Sequence, residues 1–430
     1  MKLPLIVIDS KSTNGRLILV AAMFGALVFA WFSVRWQLGN MLAALTQANQ
    51  PNAEEVAQLA RGFAPSDPLP MWLTATREKE NFSPESLERS VGLFEQVVRL
   101  SPNDFRYWIE LGRAYEQAEE PEKAEMALSR AVELAPTYTF PHWQFGNFYL
   151  RQNRSDEAFA ELRKTTERSV VYREQVFSLA WDYFDKDPEK VEALAADTPD
   201  VRSTLALFYA ARGSADNALR IWNTLSDEQK PNYQDTAKRI ARGLFEKQRF
   251  RESLEFSRQT GIDPEAQFEN VTNGGFEKFI GPPDDTLFGW RVYKSDAKID
   301  VLPDGSVKSE GTRSLRVTFK GYSKIDLHNV VQSVAVQPGG HYRLIFMLRT
   351  DNLRSGGPPV LQIISGRENK GIATSEPFAA GSADWKQVTI DFTAPDDFDS
   401  VLIRTGRASC GEECPISGTI WYDDFRLTKL

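Results

Sequence analysis

The spacing of apolar residues changes twice along the chain, and each spacing predicts a different kind of structure. Residues 17–34 contain no charged residue, and this stretch is long enough for a helix to cross a bilayer. Residues 67–262 place apolar side chains at helical spacing, whereas residues 267–430 alternate apolar and polar side chains as half-buried β-strands do. The sequence therefore predicts a multidomain chain with an N-terminal transmembrane helix, an all-α domain and a C-terminal all-β domain.

Most of the positive charge around the first apolar stretch lies on its N-terminal side. Three basic residues precede it: Lys2, Lys11 and Arg16. The positive-inside tendency places residues 1–16 in the cytosol and everything after the span on the other side of the membrane. A cleaved signal peptide is the alternative, but residues 44–48 offer only a poor and distant cleavage site. We expect an uncleaved anchor at residues 17–35 and a juxtamembrane stalk or first helix at residues 36–66.

A repeat of 34 residues runs through the helical region. Six positions of one unit recur in the next: Leu111, Gly112, Tyr115, Ala124, Leu128 and Ala131 return as Phe145, Gly146, Tyr149, Ala158, Leu162 and Thr165. Small residues such as Gly112 and Ala124 let two antiparallel helices approach closely, while large residues fill the hollows between them. Looser copies begin at Leu205 and Ile240. One more unit, VFSLAWDYF followed by PEKVEALAAD, precedes these looser copies, and its second helix is predicted to be short.

This pattern resembles the tetratricopeptide repeat family over residues 67–262, with about four or five units. The resemblance implies a right-handed helical solenoid whose concave face binds peptides or partner proteins. The large aromatic residues of this region fall at helical spacing among apolar neighbours, so we expect them in the core between helices. They are Trp108, Trp143, Phe145, Phe148, Trp181 and Trp222.

The C-terminal region contains three clearly alternating segments, SLRVTFK, HYRLIFMLR and QVTIDF. Turn signals precede the first two, with PDG at residues 303–305 before SLRVTFK and QPGG at residues 337–340 before HYRLIFMLR. Short strands with polar turns and no intervening helix are typical of a β-sandwich.

The order of six motifs in this region resembles the jelly-roll carbohydrate-binding modules attached to xylanases and glucanases. These motifs are NGGFE, FGW, SEGTRSLRV, VQSVAVQPGGHYRLIFMLR, ADWKQVTIDFTAP and IWYDDFRL. The resemblance implies that the first and last strands lie together and hold a structural calcium. Calcium takes several oxygen ligands. We expect Glu277, Glu310 and Asp423 to supply them.

The period of two places four residues of the last strand on one face: Trp421, Asp423, Phe425 and Leu427. An acid on an otherwise apolar face needs a partner, which could be a cation near Glu277. Alternatively, Asp423 caps a turn or pairs with an arginine.

Glycan contacts are expected on an exposed strand face. Trp290 and Trp385 are structural in the family pattern, so we expect both in the core. The remaining polar and aromatic candidates are Tyr322, His328, Gln332, Arg349 and Gln362. A fold of this kind also serves as a protein-interaction module, because resemblance of fold does not carry sugar binding with it.

Composition excludes several other functions. The net charge of -8 argues against nucleic acid as a partner. The three histidines are scattered, and no nucleophile or phosphate-loop motif accompanies them, so we do not expect an enzyme. The two cysteines, Cys410 and Cys414, lie close together in the exported part, where a disulfide is favoured over free thiols or a zinc site.

These expectations combine into one hypothesis. We expect a single-pass protein of the bacterial inner membrane with both domains in the periplasm, acting as an accessory or scaffold factor in exopolysaccharide or cell-envelope polysaccharide assembly. The solenoid would bind protein partners and the sandwich would bind glycan. The alternative is a purely structural protein-interaction scaffold with no sugar binding.

Overall fold

The computed structural model describes residues 12–430 apart from residues 48, 82, 294–296, 325–326, 328, 367–369 and 409–413. The chain divides into two compact units, Met1–Phe184 and Asp185–Leu430. The boundary predicted between the helical and β domains, near residue 265, lies inside the second unit.

The first unit is helical. Its helices are α1 (Thr13–Ala44), α2 (Ala53–Phe63), α3 (Pro68–Lys79), α4 (Pro84–Leu100), α5 (Phe105–Gln117), α6 (Pro121–Leu134), α7 (Thr139–Arg151), α8 (Ser155–Thr166) and α9 (Val170–Tyr183). Within the described residues, α1 is the one helix that is long and apolar enough to cross a membrane, a test that a signal sequence near the N-terminus also passes. Ser12 caps α1, since its hydroxyl accepts a hydrogen bond from the Gly15 amide at 3.0 Å.

The C-terminal end of α1 is packed against the helices that follow. A Cβ atom at Gly39 would lie 2.7 Å from the Ala60 carbonyl oxygen and 2.7 Å from the Ala64 Cβ, so α1 and α2 touch at their backbones. Asn40 Nδ2 donates to Asp67 Oδ2 at 2.8 Å, which ties α1 to the start of α3. The segment predicted as a stalk or first helix, residues 36–66, is therefore folded helical structure.

The predicted packing of the repeat is confirmed. A Cβ atom at Gly112 would lie 2.7 Å from Leu128 Cγ, and a Cβ atom at Gly146 would lie 2.7 Å from Leu162 Cγ. The glycine at the equivalent position of each repeat therefore lets the two helices approach closely, α5 with α6 and α7 with α8.

The second unit contains five α-helices, two short 3-10 helices (Lys230–Tyr233 and Pro283–Asp285) and ten strands within the described residues. The helices are α10 (Pro188–Glu192), α11 (Pro199–Ala211), α12 (Ala215–Trp222), α13 (Gln234–Glu246) and α14 (Phe250–Gln259). The strands are β1 (Arg291–Val292), β2 (Ile299–Asp304), β3 (Ser314–Tyr322), β4 (Val330–Ala335), β5 (His341–Ser355), β6 (Pro359–Ser365), β7 (Gly371–Thr374), β8 (Gly381–Thr393), β9 (Ser400–Arg407) and β10 (Ile416–Lys429). The five-residue α10 is the short second helix that the sequence predicts.

The strands form two antiparallel sheets. Sheet A has the order β1-β4-β9-β6-β7, and sheet B has the order β2-β3-β10-β5-β8. The core lies between them, and the alternation of β5 places Tyr342, Leu344, Phe346 and Leu348 in it. The predicted sandwich is confirmed.

The last two helices of the repeat region share contacts with the sandwich. The ring of Phe245 on α13 packs against Phe288, with centroids 5.5 Å apart, and Phe250 on α14 packs against Phe398 at 5.1 Å. The Arg251 amide donates to Asp399 Oδ2 at 3.0 Å. The end of the helical region and the sandwich are therefore one folded body.

A bulge in β10 corrects one prediction. The pairing register with β5 shifts between Asp423 and Arg426, and Asp424 has a φ of 51°. Before the bulge, Tyr422 faces the core, and after it, Phe425 does. The prediction that Asp423 and Phe425 share a face is wrong, because the extra residue reverses the alternation between them.

Candidate functional sites

Asp423, a predicted calcium ligand, holds a turn between β2 and β3. Its buried carboxylate accepts hydrogen bonds from the Ser309 amide at 2.8 Å and from the Glu310 amide at 3.3 Å through Oδ2. The Asp424 amide donates to Oδ1 at 2.8 Å. Burial raises the pKa of Asp423, and these backbone hydrogen bonds partly offset that effect by stabilising the ionised form. The carboxylate therefore caps a turn, as one of the sequence alternatives states.

Glu277 binds the next residues of the same turn. Its Oε1 accepts from the Thr312 amide at 2.8 Å, and its Oε2 accepts from the Thr312 hydroxyl. The hydrogen bonds from Thr312 lower the pKa of Glu277. Gly275 lies between the two acids, because a Cβ atom there would be 3.7 Å from Glu277 Cγ and 3.9 Å from Asp423 Oδ1. Glu277 and Asp423 therefore come from opposite ends of the sandwich sequence and bond neighbouring residues of one turn.

Glu310 does not join these two acids. Its side chain is 68% exposed and pairs with Arg426 Nη2 at 3.2 Å. Among the described residues, no group of three or more His, Cys, Asp or Glu side chains is arranged to hold a metal ion. All four carboxylate oxygens of Glu277 and Asp423 already accept hydrogen bonds from protein groups, so a cation here would have to share these oxygens and take further ligands from the backbone or from water.

The predicted glycan contacts lie in different environments. Tyr322 is buried in the core, because Gly321 precedes it with a φ of 78° and shifts the alternation of β3. Gln332 is 0% exposed, and its amide bonds the Thr272 backbone at 3.0 and 2.8 Å. Neither side chain can reach a polysaccharide, so these two assignments are corrected. His328 lies outside the described residues.

The other two candidates are half-buried and already paired. Arg349 on sheet B forms an ion pair with Asp384 at 3.4 Å, and its guanidinium lies 5.8 Å from the ring centroid of Trp421. Gln362 on sheet A accepts from Arg404 Nε at 3.0 Å. Gln362 and Arg349 stand on different sheets, so the structure does not bring them together.

The tryptophans and the cysteines divide in a similar way. Trp290 is part of the sandwich core, as expected, whereas Trp385 on β8 is half-buried and lies outside the core cluster. Cys414 is buried and disulfide-bonded, and Cys410 lies outside the described residues.

Two of the three histidines have structural partners. Both ring nitrogens of buried His142 are occupied, Nδ1 at 2.6 Å from Glu161 Oε2 and Nε2 at 3.0 Å from the Pro136 carbonyl oxygen. His341 lies on β5 with its Nδ1 at 2.9 Å from the Thr393 hydroxyl. Both imidazoles are engaged in hydrogen bonds that fix the fold.

An open cavity of about 720 Å³ lies between α7 and α9 in the first unit. It is lined by Trp143 and Asn147 from α7 and by Val170, Val171 and Glu174 from α9, among others. Of the aromatic residues expected in the solenoid core, Phe145, Phe148 and Trp222 are buried, while Trp108 and Trp181 are half-buried. Trp143 instead presents part of its indole to this cavity, a position that helical periodicity alone does not distinguish from the core.

Ion pairs link successive helices elsewhere in the solenoid. Lys79 of α3 pairs with Glu110 of α5 at 2.5 Å, and Glu116 of α5 pairs with Arg151 of α7 at 2.6 Å. These charges are neutralised within the chain. The cavity beside Trp143 is therefore the more suitable place for an apolar partner group.

A second surface was missed by the sequence analysis. Phe279, in the loop before β1, is 83% exposed. A mainly apolar concavity of about 610 Å³ and a more polar one of about 360 Å³ both use residues 279–282 as a wall. The loop has no periodic pattern, and its sequence signal is an aromatic residue two positions before the Gly-Pro-Pro segment.

Comparisons with known proteins agree with the architecture. The carbohydrate binding domain family matches residues 269–406, and the tetratricopeptide repeat family matches residues 105–138. No match was found among curated proteins.

Several solved structures are similar to parts of the chain. A CBM4 structure is 17% identical and covers 37% of this chain and 99% of its own, with a TM-score of 0.29. MamA from Desulfovibrio magneticus RS-1 is 24% identical and covers 32% of this chain and 74% of its own, with a TM-score of 0.27. TTC0263, a thermophilic tetratricopeptide protein from Thermus thermophilus, is 23% identical and covers 50% and 99%, with a TM-score of 0.25.

Both matched families are of non-catalytic kinds. In the predicted order, the chain carries a tetratricopeptide-like helical region followed by a carbohydrate-binding-module-like β-sandwich.

Proposed function

We propose that this protein is a membrane-anchored scaffold for bacterial exopolysaccharide or cell-envelope polysaccharide assembly, with both domains in the periplasm. The observation that carries the proposal is the joining, in one chain, of an apolar helix, a repeat region with an open cavity, and a carbohydrate-binding-like sandwich. The helical repeats would bind a protein of the assembly machinery, and the sandwich would bind the glycan.

The packing of α1 favours an anchor over a cleaved leader. Removal of α1 would expose the backbone contact that Gly39 makes with α2 and would break the hydrogen bond from Asn40 to Asp67. Intact mass measurement of the protein extracted from membranes tests this. Retention of residues 1–44 is expected, and a mature chain that begins after residue 44 would contradict it.

The cavity beside Trp143 supports protein binding. Val170 and Val171 are exposed at its rim, and Glu174 adds a negative charge. An extended peptide segment with an apolar anchor and a basic residue would bury these valines and pair with Glu174.

Pull-down from solubilised membranes tests this binding. Val171→Asp should release the partner, whereas the control Met126→Asp changes an equally exposed apolar residue on α6 and should not. A polysaccharide polymerase or glycosyltransferase among the proteins released by Val171→Asp would support the function. Equal recovery with both variants would remove the cavity from the proposal.

A scaffold without sugar binding is the second candidate. The observation that favours it is the burial of Tyr322 and Gln332, which leaves the predicted glycan residues unable to form one site. Affinity electrophoresis of the full chain in gels with and without polysaccharide separates the two candidates, since only the glycan-binding scaffold is retarded.

We also propose that Glu277 and Asp423 contribute to a structural calcium site in the sandwich. Their convergence beside Gly275 supports this proposal.

A further inference from the structure

Phe279 is the most exposed of the large apolar side chains among the described residues. Its loop is nonetheless braced. The Asn273 side chain forms two hydrogen bonds with the Lys278 backbone. Its Oδ1 accepts from the Lys278 amide at 3.0 Å, and its Nδ2 donates to the Lys278 carbonyl oxygen at 3.1 Å. The Asp285 amide closes a turn on the Pro282 carbonyl at 3.0 Å. The backbone on both sides of Phe279 is therefore held in place, so ligand binding at this loop requires little ordering of the chain.

The loop of Phe279 separates two unlike concavities. The apolar one is lined by Val292, Tyr293, Leu302 and Pro303 along the edges of β1 and β2. The polar one is lined by Asp263, Glu265, Lys278 and Asp285, among others. A ligand that covers Phe279 therefore meets mainly apolar surface on one side and, on the other, a mixed surface that also carries the charged side chains of Glu265, Lys278 and Asp285.

A pyranose ring has this division, with C–H faces that pack on aromatic rings and hydroxyl groups around its edge. We propose that Phe279 is the stacking platform of a saccharide site formed by the two concavities. The inference rests on the proposed glycan function and names where in the sandwich the sugar binds. The predicted residues on the strand faces have no part in this site.

The charges of the polar concavity restrict the class of saccharide. Lys278 is paired with Glu265, and Asp263 is fully engaged because its carboxylate accepts from the Thr286 hydroxyl and from the Leu287 amide at 2.9 Å. Asp285 is exposed and can accept a hydrogen bond from a hydroxyl or an amino group. Three acids against one base repel a uronic acid, so the ligand is a neutral or amino sugar polymer.

The test uses the full chain in lipid nanodiscs, since sugar-headed detergents would compete for the site. Three hexasaccharides serve as calorimetric probes: neutral chitohexaose, cationic chitosan hexamer and anionic alginate hexamer. We expect binding of the neutral or cationic probe and about tenfold weaker binding by Phe279→Ala, because the stacking surface is lost. Asp285→Asn should lower the affinity for the cationic probe more than the affinity for the neutral probe. The control Tyr138→Ala removes an exposed aromatic ring from the solenoid and should leave affinity unchanged.

The outcomes are distinguishable. If the wild-type protein binds a hexasaccharide and Phe279→Ala binds it equally well, this site is wrong while the glycan function stands. If the wild-type protein binds none of the probes, the proposed glycan function fails and this inference with it. Preference for alginate would overturn the assignment of sugar class. Self-association that Phe279→Ala abolishes, without sugar binding, would make this loop a protein-docking surface instead.

Discussion

Phe250 and Phe398 meet edge-on in the second unit, with ring centroids 5.1 Å apart and planes at 74°. Phe250 begins α14, the last helix of the repeat region, and Phe398 precedes β9 of the sandwich. Both rings are buried. The last repeat and the sandwich therefore share apolar surface, so we expect them to unfold together.

Phe250→Ala should lower the free energy of unfolding of the whole second unit by about 3–5 kcal/mol, because it leaves a cavity in this shared surface. Hydrogen exchange measured through the denaturant unfolding transition checks this, with the signals of α14 and of the sandwich strands shifting together. Phe279→Ala is the matched control, since its ring is exposed and its loss should not change the transition. Separate shifts of the two signals would show that helix and sandwich are independent.

Two glycines of the first unit, one at the repeat position and one outside it, should respond oppositely to alanine. Gly146→Ala puts a Cβ atom 2.7 Å from Leu162 Cγ and 3.1 Å from the Ala158 carbonyl oxygen, so it should destabilise the first unit by about 1–3 kcal/mol. A Cβ atom at Gly92 on α4 would have no neighbour within 4 Å. Gly92→Ala should therefore raise the free energy of unfolding by about 0.5–1 kcal/mol, because alanine has the higher helix propensity. Urea unfolding midpoints of both variants measure the difference. Equal effects would mean that close helix contact does not explain the glycine of the repeat.

The sequence was sufficient where one period held throughout an element. The alternation in β5 placed Tyr342, Leu344, Phe346 and Leu348 in the core, and the 34-residue spacing located both close helix contacts. These signals are strong because many residues repeat the same information.

The sequence was insufficient where one residue reverses a period. The left-handed backbone at Gly321 turns Tyr322 into the core, and the bulge at Asp424 separates the faces of Asp423 and Phe425. β4 is buried throughout, so alternation could not show that Gln332 was inaccessible. Phe279 lies in an irregular loop, where exposure depends on tertiary packing.

Asp304 should be required for sandwich stability. Its buried carboxylate accepts from the Ser306 amide at 2.9 Å and from Trp421 Nε1 at 3.0 Å. Asp304→Asn places an amide donor against one of these donors, so we expect the free energy of unfolding to fall by about 2–4 kcal/mol. Asp300 lies on the same strand as Asp304 and forms an exposed ion pair with Lys320 of β3. The control Asp300→Asn breaks this pair and should lower the free energy of unfolding by less than about 1 kcal/mol. Comparable losses in chemical denaturation would contradict the role given to burial.

The same carboxylate predicts acid sensitivity. Burial alone would raise the pKa of Asp304, but hydrogen bonds from Ser306 and Trp421 outweigh it and hold the pKa well below its ordinary value of 3.8. A lowered pKa stabilises the fold above the ordinary value, and this contribution is lost as the pH falls below it. Between about pH 5 and pH 3, the wild-type protein should lose more stability than Asp304→Asn. Parallel losses would show that Asp304 does not titrate in this way.

Binding of the proposed calcium should depend on Glu277 and not on Glu310. Glu277 converges with Asp423 on the turn before β3, whereas Glu310 faces outward to Arg426. A ligand that binds only the folded state stabilises it, by about 2.7 kcal/mol at one hundred times its Kd. We therefore expect calcium to raise the melting temperature of the wild-type protein and of Glu310→Gln. Glu277→Gln should lose this increase, because it removes one of the two converging charges. The measurement is thermal melting of the full chain in calcium and in excess chelator. Identical wild-type midpoints in the two conditions would remove the metal, and an equal calcium response of both variants would place it elsewhere.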